Sequence, residues 1–429
     1  MAVALRANLI SPAIHAPQLA LAGERVRGAL LWFTGLSGAF VFVEPSPYEI
    51  CSLLTIIVFA ISGLALRAAL MPLIAMLMLY SIGFGIATIQ VSDQVKPVTW
   101  LLISCYLSVT AIFYAAILGT NTERRLALLL QGYMLAAVVA SIVGILAYFH
   151  VLGGYSDLFL LYDRARGTFN DPNVLGAFLI LPALLAFQRV LIGRVPAVIG
   201  GIILLAVIAP ALLLSFSRGA WGQFAFGSLL LMVLTFITTH SSKQRLRIIL
   251  VALVGVMVLA LFVVALLSID RVAELFKARA ALEQSYDAGP MGRFGRYSLG
   301  AVLALQEPFG IGPLQFSKIF FEDPHNTYLN TFMSGGWLSG CVYAAMTLIT
   351  LVRGLRFVFV VTPWRTTYLA IYAAFVGTAF ESAIIDSDHW RHYFLLLGVL
   401  WGLMTVSRRH AGRMGPLPRG GLAQAPLAA

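Results

Sequence analysis

Long apolar segments alternate with short polar ones along most of the 429-residue chain. A helix needs about 20 apolar residues to cross the hydrocarbon core of a bilayer, and runs near that length give twelve candidate spans. They lie near residues 28–43, 50–66, 68–90, 100–119, 126–149, 173–190, 195–214, 219–239, 248–268, 326–352, 359–380 and 392–406. The pattern predicts an all-α polytopic membrane protein with about twelve transmembrane helices and both termini on one side.

Three parts follow from these spans. Residues 1–27 form an N-terminal segment, 28–406 a single transmembrane domain, and 407–429 a tail rich in Gly, Pro and Ala that we predict to be disordered. The composition, 60% hydrophobic and 11% charged, is typical of a polytopic membrane protein and not of a soluble domain. The first residues lack the long apolar core of a cleavable signal peptide.

The basic residues orient the spans. One set of alternate connecting segments carries most of the Lys and Arg residues and only Glu24 and Glu123 as acids. Cytoplasmic loops carry such an excess, so we predict that this set and both termini are cytoplasmic. Topology then explains most of the net charge of +11, and nucleic-acid binding is not predicted. The assignment depends on the count, because one span more or fewer would invert everything after it.

Three outer segments are unusual: residues 150–172, the turn Ser215–Gly219, and the long stretch 269–325. In the third, apolar residues recur at helical spacing, which predicts an amphipathic helix at the membrane surface; they are Val272, Leu275, Phe276, Ala280 and Leu282. Gly289-Pro290 ends this helix, and a second is predicted from about Arg293 to Gln306. The long stretch is therefore a structured loop.

Several arginines lie on the predicted outer face, where the positive-inside rule disfavours them. They are Arg164, Arg166, Arg218, Arg293 and Arg296. Guanidinium groups match the oxygens of a phosphate or pyrophosphate, so these side chains are candidates for binding one. The alternative is that each pairs with a lipid phosphate or a nearby carboxylate; the candidates are Asp157, Asp163, Asp171 and Asp287.

Two predicted helix starts face the same side. Asn170-Asp171-Pro172-Asn173 opens the sixth span, and Asp323-Pro324-His325-Asn326 opens the tenth. Asp is a good N-cap and Pro suits the first helical position, which places His325 in the first turn. Helix N-termini favour anions and disfavour imidazolium, so His325 would be neutral and able to accept a proton. The alternative is an interfacial histidine at a helix end.

Other chemistry has little support. The three cysteines lie in apolar runs, and the chain lacks HExxH, Walker A and clustered His/Cys motifs. One acidic and histidine-containing group on the eleventh connection could hold a metal, although a solvated, salt-linked loop is the interpretation we favour; it comprises Glu381, Asp386, Asp388, His389, Arg391 and His392. Charged residues lie outside the spans or at their ends, which disfavours a transporter.

In series, these features resemble the O-antigen ligase and O-antigen polymerase superfamily of bacterial membrane glycosyltransferases. The motifs are Arg166-Gly167-Thr168-Phe169-Asn170-Asp171-Pro172-Asn173, Ser215-Phe216-Ser217-Arg218-Gly219-Ala220, Gly292-Arg293-Phe294-Gly295-Arg296-Tyr297, Pro308-Phe309-Gly310-Ile311-Gly312, and His325-Asn326 followed by Gly336. Tyr297 stands where Trp is common, and Ser339 stands where the family has another small residue, often Gly. The first 150 residues match only as apolar helices.

The resemblance implies a GT-C-like fold in the bacterial inner membrane and an active site facing the periplasm. It implies an undecaprenyl-pyrophosphate-linked glycan donor, a glycolipid or glycan acceptor such as lipid A-core oligosaccharide, surrounding membrane lipids, and inverting transfer without metal or cofactor. His325 would be the catalytic base. Arg166, Arg218 and Arg293 would bind pyrophosphate, with Arg164 and Arg296 as further candidates and Asn326, Asn173 and Asp171 in support.

Ligase and polymerase differ in the acceptor, and the motifs do not separate them. A polymerase would join carrier-linked repeat units of O-antigen or exopolysaccharide. A flippase or transporter of lipid-linked sugars is a third hypothesis, and a purely structural membrane protein is a fourth. The last leaves the external arginines without a purpose.

Overall fold

The computed structural model describes residues 15–43, 45–280, 289 and 291–414. Its helices are α1 (His15–Ser37), α2 (Pro47–Ile61), α3 (Met71–Ile89), α4 (Val95–Ile117), α5 (Thr122–Tyr148), α6 (Pro172–Ile192), α7 (Val195–Leu214), α8 (Arg218–Thr238), α9 (Ser242–Leu267), α10 (Asp270–Ala280), α11 (Arg293–Gln306), α12 (Phe316–Phe320), α13 (Thr327–Val358), α14 (Arg365–Glu381) and α15 (Arg391–Met414). A small hairpin pairs β1 (Leu160–Leu161) with β2 (Arg164–Ala165).

A long helix coincides with each of the twelve predicted spans. Among the described residues, eight helices are long and apolar enough to cross a membrane, namely α3 to α9 and α13. The prediction of an all-α polytopic membrane protein is confirmed at this level. Helices α1, α2, α14 and α15 correspond to the other four predicted spans.

The first and last helices extend beyond the predicted spans. Helix α1 begins at His15, before the predicted span near residues 28–43, because charged residues end the apolar run without ending the helix. Glu24 pairs with Arg27 at 2.9 Å and with Arg125 of α5 at 3.0 Å. Helix α15 continues to Met414, so the prediction of disorder is wrong for residues 407–414. Residues 1–14 and 415–429 lie outside the described part.

The helices pack mainly in pairs: α1 with α5, α3 with α13, α4 with α15, α6 with α7 and α8 with α14. Small residues allow the closest approach. A Cβ on Gly132 would lie 2.0 Å from the carbonyl oxygen of Trp32, and one on Gly35 would lie 2.3 Å from that of Leu129. Backbones of α1 and α5 are therefore in direct contact, as in many transmembrane helix pairs.

Helix α13 is broken in its middle. Gly336 has φ 72° and ψ −178°, which is not helical, and the break frees backbone groups on both sides. The loop after α11 satisfies them: the Ile311 amide donates to the Met333 carbonyl at 2.7 Å, and the Trp337 amide donates to the Pro308 carbonyl at 2.9 Å. Non-helical backbone is tolerated at membrane depth only where protein or water provides such partners.

The described residues of the long stretch 269–325 include helices α10, α11 and α12. Helix α11 has the predicted bounds Arg293–Gln306, and α10 covers the predicted amphipathic segment up to Ala280. Leu282, Asp287 and Pro290 lie outside the described residues. The apolar side of α10 packs on protein: Val272 is buried, and the ring of Phe276 stacks on Trp221 with centroids 5.4 Å apart. Helix α10 is therefore docked against α8.

Candidate functional site

His325 lies immediately before α13 and not within it. The N-cap is Asn326, whose side-chain Oδ1 accepts a hydrogen bond from the Leu329 amide at 3.1 Å. The prediction that Asp323 caps this helix and that His325 lies in its first turn is therefore wrong. His325 has φ 52°, a left-handed conformation that costs a residue other than glycine about 1–3 kcal/mol.

A carboxylate from a distant segment holds this conformation. Asp386 accepts hydrogen bonds from the backbone amides of His325 at 3.2 Å and of Asn326 at 3.1 Å. Both amides therefore point at one carboxylate, which a regular helix start at Asp323 would not allow. The local preference of Asp and Pro for the first helical positions is overridden by this tertiary contact.

The same carboxylate faces the imidazole. Nδ1 of His325 lies 3.5 Å from Oδ2 of Asp386, and the two side chains are 39% and 20% exposed. Burial raises the pKa of the Asp386 carboxyl above its ordinary value of 3.8, and its contact with His325 opposes that rise. With a proton on Nδ1 facing Asp386, Nε2 is the nitrogen that can accept a proton. The pair has the arrangement of a general base and the carboxylate that orients it.

Asp386 belongs to the loop that the sequence suggested was solvated and salt-linked; the salt links are present, but its polar residues are buried or half-buried. Ser387 and Asp388 are buried. Nδ1 of His389 lies 3.6 Å from Asp388, and the Arg391 guanidinium pairs with Glu49 at 2.6 Å. Across the described ranges, no group of three His, Cys, Asp or Glu side chains could hold a metal ion. The sequence reasoning noted Asp386 but missed its connection to His325.

Helix α11 reaches the same place. The hydroxyl of Tyr297 lies 3.0 Å from the carbonyl oxygen of His325 and can donate to it. Arg296, on the preceding position, is buried and pairs with Glu322, so its guanidinium is engaged by protein. Arg293 is the first residue of α11 and is partly exposed. The predicted second outer helix thus lies beside the histidine.

Arg164 links the segment 150–172 to the turn Ser215–Gly219 and to Asn173. Arg164 is buried, and its Nε donates to the Ser215 carbonyl at 2.7 Å while Nη2 donates to Oδ1 of Asn173 at 2.8 Å. Asp171 caps α6, as predicted, by accepting from the Asn173 amide at 2.7 Å. These contacts fasten β2 and the start of α6 to the turn before α8.

Arg166 is placed differently from Arg164. It is half-buried, and its guanidinium donates to the carbonyl oxygens of Leu158 at 3.0 Å and Asn170 at 3.4 Å. Both acceptors are neutral, so these bonds orient the guanidinium without cancelling its positive charge. Of the predicted alternative partners, Asp163 pairs with Arg271 of α10 at 3.2 Å.

The first turn of α8 carries Arg218 and meets the end of α14. Ser217 caps α8 by accepting from the Ala220 amide, and Arg218 is half-buried as the first helical residue. A Cβ on Gly219 would lie 2.7 Å from Oε1 of Glu381. With its amide turned so that the nitrogen faces Glu381, Gln223 can donate to that carboxyl at 2.6 Å. The α8 start is therefore in contact with the last residue of α14.

The end of α14 connects the start of α8, which bears Arg218, to the segment that bears His325. Glu381 touches α8, and the next residue, Ser382, accepts a hydrogen bond from the Thr327 amide of α13 at 2.8 Å. Asp386 follows within the same loop and holds His325. The structure thereby brings His325 and the five candidate arginines to one end of the helical bundle.

This fold and site define a polytopic membrane protein with a histidine–aspartate pair and several arginines at one end of its helices. A family model described as O-antigen ligase matches residues 201–344, which run from α7 into α13. Over these residues the match supports the resemblance drawn from the motifs to the O-antigen ligase superfamily, whose members are glycosyltransferase-like enzymes. Comparison with curated proteins gave no significant match.

The matched stretch includes only part of the site. Arg218, Arg293, Arg296 and His325 lie within it, whereas Arg164 and Arg166 precede it and Asp386 follows it. The contacts of the folded chain therefore add Asp386 to the residues that the family domain contains. No local signal in the sequence marks this aspartate, because its partner is 61 positions away.

Proposed function

We propose that the protein is a glycosyltransferase that moves a glycan from undecaprenyl pyrophosphate to a hydroxyl acceptor, lipid A-core oligosaccharide or a similar glycolipid. The observation that carries this proposal is the His325–Asp386 pair at the bundle end that also bears the arginines. A base and a set of cations are what transfer from a diphosphate-linked sugar requires.

The proposed reaction is a single displacement. The acceptor oxygen attacks the anomeric carbon, the bond from that carbon to the pyrophosphate oxygen breaks, and the hydroxyl proton passes to Nε2 of His325. Asp386 stabilises the imidazolium that forms. A positioned base contributes about 10²- to 10⁴-fold to the rate, and one displacement inverts the anomeric centre. His325 then releases its proton to water, which its 39% exposure allows.

Negative charge develops on the leaving pyrophosphate. Pyrophosphate leaves well once its charge is neutralised, and guanidinium groups are suited to that task. We assign this role to Arg166, Arg218 and Arg293. Arg164 and Arg296 are buried and bonded to protein, which suits them to supporting the site. This account needs neither a metal nor a protein nucleophile.

The proposed location is the bacterial inner membrane, with twelve spans in a GT-C-like fold, both termini in the cytoplasm and the site facing the periplasm. Three features support it: the coincidence of long helices with the predicted spans, the excess of basic residues in the alternate connecting segments, and the position of His325 in the opposite set.

The alternative is a polymerase of the same superfamily, which would use a second carrier-linked repeat unit as acceptor. The family match applies equally to both. The deciding experiment replaces His325 by Ala in a host that makes O-antigen and examines its lipopolysaccharide and carrier-linked glycans. A ligase defect leaves bare core while long carrier-linked polymer accumulates, whereas a polymerase defect leaves core capped with one repeat.

His240→Ala is the matched control, because His240 is exposed in the connection between α8 and α9 on the predicted cytoplasmic side. It should leave the lipopolysaccharide ladder unchanged. A normal ladder in the His325→Ala strain, at equal protein level, would refute the role of His325 and the proposed mechanism.

A further inference from the structure

We propose that Tyr297 is a positioning residue that sets the geometry of the His325–Asp386 pair. This inference rests on the proposed function, since it assumes that His325 is the base. Tyr297 lies on α11, and its hydroxyl faces two backbone carbonyls. Tyr297 acts on the backbone that carries the imidazole.

The Tyr297 hydroxyl lies between two segments. Its oxygen is 3.0 Å from the carbonyl oxygen of His325 and 3.2 Å from that of Ala383, and its proton can be donated to either. One carbonyl belongs to the turn that bears the histidine, and the other lies three residues before Asp386. The hydroxyl is therefore a bridge between the two chain segments that must be held together for the pair to form.

His325 is bound on both sides of its backbone. Its amide donates to Asp386 at 3.2 Å, and its carbonyl accepts from Tyr297 at 3.0 Å. The left-handed φ of 52° is costly for histidine and persists only while surrounding contacts impose it. Because the imidazole is attached to this strained residue, fixing both peptide groups also fixes where Nδ1 meets the carboxylate.

Helix α11 holds Tyr297 in place for this contact. Arg296, the residue before Tyr297, is buried and pairs with Glu322, which lies three positions before His325. The side chain of Tyr297 also packs edge-on against Phe294, with ring centroids 5.7 Å apart. Removal of the hydroxyl alone should therefore leave α11 in place and release only the His325 turn.

Tyr297→Phe tests the proposal. We expect kcat to fall about ten- to a hundredfold, because a small displacement of a catalytic group can cost that much. KM for the lipid-linked donor should be nearly unchanged, since the substitution leaves the arginines intact. The assay uses the full-length protein in lipid nanodiscs with an undecaprenyl-pyrophosphate-linked oligosaccharide and a lipid A-core acceptor, and it determines kcat and KM separately.

Tyr368→Phe is the matched control. The Tyr368 hydroxyl also donates to a backbone carbonyl, that of Gly354, at 2.8 Å, but it lies in the helix core away from the histidine. Both variants lose one phenol-to-carbonyl hydrogen bond, so their thermal unfolding temperatures should fall by similar amounts. Only Tyr297→Phe should lose kcat, which a purely structural contribution would not produce.

The outcomes separate the two proposals. Transfer by the wild type, none by His325→Ala, and full kcat in Tyr297→Phe would overturn the role of Tyr297 and leave the proposed function standing. A rise in KM without a fall in kcat, or a loss of thermal stability well beyond that of Tyr368→Phe, would also overturn it. Failure of the wild type to transfer glycan to lipid A-core or to another carrier-linked repeat would overturn both.

Discussion

Asp386→Asn is the most direct test of the histidine–aspartate pair. The substitution keeps the size of the side chain and one oxygen that can accept from the His325 or Asn326 amide, but it removes the negative charge. The new amide can also donate to Nδ1 of His325, which would leave the proton on Nε2 and block that nitrogen as a base. The expected result is a fall in kcat with little change in KM for the donor.

The distance in the structure sets the size of the effect. Opposite charges 3.5 Å apart attract by about 4–5 kcal/mol at an effective dielectric constant of about 20. The imidazole is 39% exposed, so solvent reduces the attraction to about 2–3 kcal/mol in our estimate. That is about 30- to 150-fold in kcat. The upper limit is the whole contribution of a general base, about 10⁴-fold.

The assay measures steady-state glycan transfer for kcat and KM, and a separate single-turnover measurement with enzyme in excess of donor shows that product release does not mask the chemical step. Asp388→Asn is the matched control: Asp388 lies in the same loop but faces His389, and its loss should leave kcat unchanged. Wild-type kcat in Asp386→Asn, while His325→Ala is inactive, would refute the proposed role of the carboxylate. A defect confined to KM would refute it as well.

Three further predictions concern the scaffold and its charges. Gly219→Ala should destabilise the protein by about 1–3 kcal/mol and reduce transfer, because the methyl group would meet Glu381 at 2.7 Å; Gly222→Ala, which has open space around it, should not, and equal melting temperatures in detergent would contradict this. Gly336→Ala should lower the free energy of unfolding by at least about 2 kcal/mol, since φ is 72° and a Cβ would lie 2.7 Å from the Pro308 carbonyl oxygen. Gly255→Ala in α9 is the control, and an unaltered melting temperature for Gly336→Ala would refute the explanation of the break in α13. Burial raises the pKa of Asp323 above its ordinary value of 3.8, so the contribution of its protonated form to stability is complete below pH 3.8 and is lost as pH rises through the raised value. Asp323→Asn should therefore unfold at a higher temperature than wild type at pH 7 and lose that advantage near pH 3.5. A constant difference in unfolding temperature across pH would argue against the shift.

The helices could be predicted from the sequence because their signal is local. A span shows itself as a run of apolar residues of the right length, and α11 is delimited by Gly292 before it and Glu307-Pro308 after it. Charged residues within a helix are harder to interpret. The apolar run near residues 28–43 marks only part of α1, because Glu24 interrupts the apolar pattern although it binds Arg125 inside the fold.

The site was predicted only in part, for a physical reason. Arg218 and His325 stand in motifs, and each is recognisable from its neighbours in the chain. The contact that determines the His325 conformation comes from Asp386, which lies beyond two intervening helices and has no fixed spacing from it. The break in α13 was equally hidden, since Gly336 leaves the helix only because a separate loop supplies the missing hydrogen bonds.

That break has a consequence for how the protein is made. Met333 and Trp337 are four residues apart, so until residues 307–312 dock, the Met333 carbonyl can accept from the Trp337 amide in an unbroken helix. The side-chain amide of Gln90, at the end of α3, donates to the Gly310 carbonyl at 3.0 Å. A helix near the start of the chain therefore provides one of the contacts that hold residues 307–312. The break in α13 therefore forms together with the docking of a segment synthesised before it, and an unbroken α13 marks a chain in which residues 307–312 have not yet docked.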